Sequence, residues 1–271
     1  MRAVVTRGRG QVDRELVAAL PDLVVVARCG AGLDNVDTSA AADAGVAVVH
    51  APGLTTSAVA EHALMLMLAL ARRVVEVDTA VKAGRWSVRD GFESTELRGK
   101  RMGVIGLGAI GTKLASFGRM LDMDVVCTTR RQFDTDIVRV GLHELLATSD
   151  VVQLCVPLTD ATRSMIGADQ FAAMKPGALL VNTARGAVVD HAALADALAR
   201  NLLGGYATDV WDPEPPPAHD AVVTDPRVLV TPHVAGLTDV TYREICVRPA
   251  EAVNAILTGL APDPRWVFPP T

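Results

Sequence analysis

The stretch Met102–Gly111, MGVIGLGAIG, constrains this chain more than any other. A short Val/Ile run ends at Gly106, and glycines return at Gly108 and Gly111, where a helix-like segment begins. A strand that turns tightly at the first glycine and enters a helix packed closely at the third is the opening of a parallel β-α-β unit. Gly108 lets the backbone approach a pyrophosphate, and the helix N-terminus, beginning around Ala109 and Ile110, stabilises its charge. An ordinary glycine-rich turn is the competing reading. Three glycines in register at a strand–helix junction argue against it.

The rest of the chain repeats that alternation. Val-rich runs bounded by Gly, Pro, Asp or Thr occur at Ala3–Thr6, Leu23–Ala27, Val46–His50, Met102–Ile105, Val125–Thr128, Val151–Cys155, Ala178–Asn182, Tyr206–Thr208 and Val228–Val230. Such runs are expected of parallel strands buried on both faces, and the longer segments between them suit crossover helices. The fold class expected is therefore α/β, with a doubly wound parallel sheet. Half of the 271 residues are hydrophobic, enough for a sizeable core. The segment from Ser57 to Trp86 lacks Gly and Pro until Gly84 and predicts one long helix, apolar nearly all round in its first half. It divides a small first lobe from a larger second one, and a helix-like stretch at Asp239–Leu260 is placed to return to the first lobe. The expected division is 1–58 with 240–271, and 59–239.

Composition narrows the function classes. A net charge of −5 argues against a nucleic-acid partner. Four cysteines, Cys29, Cys127, Cys155 and Cys246, form no CxxC pair, which suits free thiols in a reducing cytoplasm and points to no metal. The start of the chain carries no apolar leader. The longest apolar run, Ala63–Ala71, is far below the roughly 20 residues needed to cross a membrane.

A dinucleotide-binding unit ordinarily places a carboxylate about 20 residues beyond its glycines, where it holds the ribose hydroxyls. Here the position is Thr129, followed by Arg130 and Arg131. A carboxylate repels a 2′-phosphate, whereas a guanidinium binds it in bidentate fashion. NADP is thus the favoured cofactor, with NAD as the alternative. A solvated basic turn is the structural reading of the same residues.

Three polar residues follow three of the later strands: Arg185 in VNTARGAVVD, Glu214 in DVWDPEPPP and His233 in VTPHVAG. Residues just past the carboxyl ends of strands line the ligand crevice of a doubly wound sheet. An Arg, a carboxylate and a His converging there suit reduction of a 2-keto acid. The Arg holds the substrate carboxylate, the His protonates the carbonyl oxygen, and the Glu orients the His. Taken singly, each is equally well a surface arginine, a solvated acid and a core histidine.

The stretches CGAGLDNVD, VAEHALMLML, LRGKRMGVIGLGAIG, PLTDAT, MKPGALLVNTARGAVVD, ATDVWDPEPPP and TPHVAGLT run in one order over most of the chain. Together they resemble the D-isomer-specific 2-hydroxyacid dehydrogenases. The resemblance implies that Arg185, Glu214 and His233 form the catalytic set and that Asp209 holds the nicotinamide amide. It also implies that Pro157, Thr162 and Thr183 border the cofactor, and that the loop Gly30-Ala31-Gly32 offers backbone N–H groups to the substrate carboxylate. Cys155 stands where the family often has His. The larger departure is at the front, where family chains carry a further βα unit and strand. The substrate domain is accordingly expected to be a shortened, flavodoxin-like lobe with an exposed strand edge at Ala3–Thr6.

The expected activity is hydride transfer between NADP(H), or NAD(H), and a small D-2-hydroxy acid or its 2-keto acid. It is expected to be of the glyoxylate/hydroxypyruvate reductase or phosphoglycerate dehydrogenase kind. A non-catalytic, cofactor-sensing interaction protein, or an inactive remnant of the same family, is the alternative. The family also implies a homodimer with the small-molecule acid as partner, and the short apolar runs predict no membrane contact.

Overall fold

The computed structural model describes residues 1–8, 10–130 and 135–269. Among them the strands, in chain order, are β1 (Ala3–Thr6), β2 (Val25–Arg28), β3 (Ala47–Val49), β4 (Arg101–Ile105), β5 (Asp124–Thr128), β6 (Val138–Arg139), β7 (Val151–Leu154), β8 (Ala178–Asn182), β9 (Leu203–Thr208), β10 (Val228–Val230) and β11 (Val267–Phe268). The Val-rich runs account for all of these except β6 and β11, which are too short to carry a period. The chain divides into two compact units, Met1–Ala58 with Gly236–Thr271, and Val59–Ala235.

The larger unit holds a seven-stranded sheet in the order β10-β9-β8-β7-β4-β5-β6, and every pairing in it is parallel. This is the doubly wound α/β fold. From β4 the connections run one way to β5 and the other way to β7, so the strand order reverses there. In such sheets ligands bind outside the carboxyl ends of the strands at that reversal. The register sets Ile105 opposite both Thr128 and Leu154, so β4, β5 and β7 end level at one edge. Helices cover both faces, and β7 and β8 are buried along their whole length. One face packs Ile105, Leu154, Leu180, Phe171 and Leu194. The other packs Met102, Val104 and Val181 against Leu66 and Met67 of the helix Thr56–Ala71.

That helix departs from expectation. The Gly- and Pro-free stretch forms two helices, Thr56–Ala71 and Val74–Lys82, with Arg73 between them in the left-handed region at φ 51°. Tertiary contacts explain the break. The Arg73 guanidinium donates to both carboxylate oxygens of Glu76 at 2.8 Å and to the carbonyl of Glu93 at 3.2 Å, and lies 5.0 Å from the centre of the Phe92 ring. The carbonyl of Ala71 accepts from Thr95 N at 2.9 Å rather than from a further helical turn. A left-handed non-glycine residue costs about 1–2 kcal/mol, which these contacts offset. None of them is visible in local sequence propensity.

The smaller unit holds a four-stranded sheet in the order β1-β2-β3-β11. The first three strands are parallel, and β11 closes one side antiparallel to β3. On one face Ala252 of the helix Thr241–Leu257 and Trp266 meet Val25, Ala27 and Val49. On the other, Val17 and Ala41 from two short helices meet Val26 and Val48. Both short helices are N-capped by an aspartate: Asp13 accepts from Leu16 N and Asp37 from Ala40 N. Each such cap is worth about 1 kcal/mol. Among the described residues β1 pairs with β2 alone, and its Val5 is exposed.

Candidate functional site

A pocket of about 600 Å³ opens in the larger unit where β4, β5 and β7 end. Gly106, Gly108, Thr129, Arg130, Pro157 and Thr162 line it. Gly106 lies at φ 97°, and a Cβ there would fall 2.6 Å from the Cys155 carbonyl oxygen. A Cβ on Gly111 would run into the carbonyl oxygen of Gly106. At Gly108, by contrast, a Cβ would meet nothing within 4 Å. Two glycines are thus required by the protein's own packing, while the third faces open space. Gly108 precedes the helix Ala109–Met120, so the first N–H groups of that helix, from Ala109, Ile110 and Gly111, come at the same turn. A pyrophosphate fits this cradle.

Thr129 and Arg130 follow β5 directly, with no carboxylate at the strand end. Arg131 lies outside the described residues. A second guanidinium, missed in the sequence, lines the same pocket: Arg139 on β6. Its strand is only two residues long, so no periodicity announced it. On the other side of the pocket the Thr162 hydroxyl, buried, donates to the Pro157 carbonyl at 2.7 Å and accepts from Thr159 N at 2.8 Å, which fixes the turn. Cys155 keeps some exposure here, yet protein atoms surround the thiol closely enough that burial pushes it up to about 12. It remains a thiol at neutral pH and is a poor nucleophile. Thr183 follows β8 and is half-buried, outside the set that lines this pocket.

Arg185, Asp209 and His233 follow β8, β9 and β10, which are adjacent parallel strands. Asn182, fully buried, ties down the first of these loops by accepting from Ala184 N at 3.0 Å and donating to the Arg185 carbonyl at 2.9 Å. The Arg185 guanidinium donates to the Ala184 carbonyl at 2.7 Å. His233 Nδ1 lies 2.8 Å and 3.0 Å from the two carboxylate oxygens of Glu214. Glu214 Oε1 also accepts from Trp211 N at 3.0 Å. Burial raises the Glu214 carboxyl. The His233 hydrogen bond, the Trp211 N–H and the charges of His233 and Arg185 together lower it by more, and the net position is below the usual carboxylate range. An ionised carboxylate accepts only, so Nδ1 carries the hydrogen of that contact. Among the described residues the other ring nitrogen, Nε2, has no hydrogen-bond partner.

The Asp209 carboxylate is almost wholly buried, at 1 % exposure. Oδ1 accepts from the Thr231 hydroxyl at 2.6 Å and from Val234 N at 2.9 Å, and Oδ2 accepts from Ala235 N at 2.8 Å. It therefore organises the turn that bears His233.

Gly30-Ala31-Gly32 follows β2 in the smaller unit. The Arg28 side chain lies over Gly30, where any Cβ would collide with it. Ala51 N donates to the Gly30 carbonyl at 2.9 Å and His50 Nδ1 to the Ala31 carbonyl at 2.8 Å. Burial lowers the His50 pKa, the Ala31 carbonyl opposes this, and the Arg28 charge adds to the lowering. His50 is thus a neutral brace for the loop.

Among the described residues no group of His, Cys, Asp and Glu is arranged to hold a metal ion, and no helix is long and apolar enough to cross a membrane.

Comparison with known proteins agrees with this geometry. Residues 64–235 match the family described as D-isomer specific 2-hydroxyacid dehydrogenase, NAD binding domain. A D-3-phosphoglycerate dehydrogenase of Archaeoglobus fulgidus is 39% identical over 263 residues, covering 95% of this chain and 50% of the relative. The chain thus spans half the length of that protein. A glyoxylate reductase of Aeropyrum pernix is 36% identical over 263 residues, covering 93% of this chain and 78% of the relative. The solved structure of D-lactate dehydrogenase from Aquifex aeolicus, complexed with NAD and lactic acid, superposes with a TM-score of 0.88 at 29% identity, over 95% of this chain and 83% of that one. With its glycine cradle, its reversal of strand order at β4 and its His–Glu pair past β9 and β10, the chain belongs to the D-isomer-specific 2-hydroxyacid dehydrogenase family.

Proposed function

We propose that the protein interconverts a small 2-keto acid and its D-2-hydroxy acid, using NADP(H) in preference to NAD(H). The observation that carries this reading is the contact between His233 and Glu214, with Arg185 close enough for its charge to act on the same carboxylate. The reduced nicotinamide, when bound, supplies the hydride. His233 donates a proton from Nε2 to the carbonyl oxygen and takes it back in the reverse direction. Glu214 holds the ring through Nδ1 and stabilises the imidazolium. Arg185 binds the substrate carboxylate and polarises the carbonyl. The backbone N–H groups of Gly30–Gly32 are assigned to the same carboxylate. In the pocket, Gly106, Gly108 and the helix start at Ala109–Gly111 hold the pyrophosphate, while Thr129, Arg130 and Arg139 take the 2′-phosphate. Pro157 and Thr162 shape the opposite wall.

The names of the relatives support a short 2-hydroxy acid as the substrate class. A homodimer built on the larger unit is part of this proposal. Its support is a run of exposed apolar side chains on one segment: Met65, Leu68, Val74, Val75, Val81 and Trp86, the last 67% exposed. Four free cysteines suit the reducing cytoplasm. The decisive experiment measures turnover of a panel of 2-keto acids, glyoxylate and hydroxypyruvate included, with NADPH and with NADH. Turnover faster with NADPH supports the reading. Absence of turnover with every acid and both cofactors, in protein that still binds NADPH, would overturn the activity.

A further inference from the structure

The helix Thr56–Ala71 is apolar along its core face, where Ala60, Ala63, Leu66 and Met67 are fully buried. His62 interrupts this composition, with its side chain only 16% exposed. A polar ring in such a place needs a hydrogen-bond partner to offset its loss of water. Its Nε2 lies 2.9 Å from the Thr231 hydroxyl and 3.6 Å from Asp209 Oδ1.

Counting protons assigns the direction of each bond. A threonine hydroxyl has one hydrogen, and the 2.6 Å contact with Asp209 Oδ1 uses it. The hydroxyl therefore accepts from His62, and Nε2 must carry hydrogen. With hydrogen on Nδ1 alone, Thr231 would be torn between two acceptors. Asp209 in turn accepts from Val234 N and Ala235 N. Every partner of this network other than His62 and Asp209 belongs to the segment 231–235. His233 stands in the middle of it, at φ 56°, with its own N–H donating to the Thr231 carbonyl at 3.1 Å. A left-handed histidine is uncommon and persists where its surroundings over-determine it.

We infer that His62 is a positioning residue for His233, acting through Thr231 and Asp209. The inference rests on the reading of His233 as proton donor. Nε2–H of His62 commits the Thr231 hydroxyl to Asp209, and the pair clamps the turn that aims the His233 ring. A histidine that merely filled the helix face would affect stability and leave the turn and the rate of the folded enzyme alone.

The test uses the full chain and four variants. His62→Leu removes the donor and Thr231→Val removes the hydroxyl with little change of shape. His62→Gln restores an N–H donor at similar reach, and Thr231→Ser restores the hydroxyl. For glyoxylate with NADPH, the first two should lower kcat by about tenfold to a hundredfold, as small misplacements of a reacting group do. KM and NADPH affinity should stay within about twofold of the parent, because the hydrogen bond between His62 and Thr231 serves the chemical step. The amides of Val234 and Ala235 should exchange hydrogen faster in both variants, and His62→Gln and Thr231→Ser should return rate and protection towards the parent. Parent-like kcat with unchanged exchange at Val234 and Ala235 would overturn the inference. So would a lower melting temperature with kcat intact in the folded protein. If the parent turns over no keto acid, the activity reading fails, and exchange at these two amides still decides whether His62 holds the turn.

Discussion

Arg139 on β6 stands in register with Cys127 on β5, so its guanidinium reaches the pocket that Arg130 lines from beyond the end of β5. Two cations, one just beyond β5 and one on the neighbouring β6, with no carboxylate among the described residues that directly follow β5, are suited to a 2′-phosphate. Both side chains are exposed, so each contact belongs to the weaker end of the charged range, about 1–2 kcal/mol. Arg130→Ala and Arg139→Ala should each weaken NADPH binding by about fivefold to thirtyfold and leave NADH nearly unchanged. Fluorescence titration of both cofactors against the parent and the two variants measures this. Equal NADPH and NADH affinities in the parent would remove the assignment.

How much of this was legible varies with the kind of signal. Gly106 and Gly111 were readable because each answers a backbone constraint that sequence spacing expresses directly, whereas Gly108 is set apart by spacing alone. Arg185, Glu214 and His233 could be named from short motifs, but the contact between His233 and Glu214 could not, since it depends on how β9 and β10 are ordered in space. Arg139 was hidden because β6 is two residues long and follows a segment without pattern. His62 was hidden by the opposite problem: it sits in a strong apolar helix pattern, and its partner Thr231 is remote in sequence. The break at Arg73 was illegible because Glu93 and Phe92, which hold it, arrive from a later part of the chain.

His233→Ala should lower kcat by about 10²–10⁴-fold, the usual share of proton transfer, with cofactor affinity unchanged. Glu214→Gln should cost less. A glutamine has one carbonyl oxygen to share between His233 Nδ1 and Trp211 N, where the carboxylate supplies two. It also removes the charge that stabilises the imidazolium. Stopped-flow reduction of a keto acid compares the two variants. A Glu214→Gln rate equal to the parent would mean that the carboxylate does not support His233.

Gly111→Ala should damage the local fold and, with it, cofactor binding. Its Cβ would press on the Gly106 carbonyl and force the glycine turn and the start of the helix Ala109–Met120 apart. Gly108→Ala meets no protein atom, so any loss of affinity there reports the ligand's own approach to the backbone. Melting curves with and without NADPH separate the two. A parent-sized NADPH shift in Gly108→Ala would show that the pyrophosphate does not lie against that backbone.

The last expectation concerns acid. Asp150 closes the opposite, N-terminal edge of the large sheet, just before β7. It accepts from Lys175 Nζ at 2.7 Å and from Arg101 N at 2.9 Å, with Lys100 Nζ at 3.9 Å. Burial raises its carboxyl, but the Lys175 hydrogen bond, the Arg101 N–H and the charges of Lys175 and Lys100 more than reverse this, and the net shift is downward. The folded value is therefore below the unfolded one, near 3.9. A group depressed in this way stabilises the protein fully above its unfolded value, and that contribution is lost as pH falls through the folded value. Glu214 is depressed as well and acts in the same direction. Thermal stability should thus be flat in these groups above about pH 5 and fall below about pH 4. Asp150→Asn keeps an acceptor for Arg101 N and loses the charge, so it should destabilise by about 1–2 kcal/mol at neutral pH and fall less steeply in acid. Melting temperatures of parent and variant from pH 3 to pH 8 decide the matter, and parallel curves across that whole range would show that Asp150 contributes nothing to the acid limb.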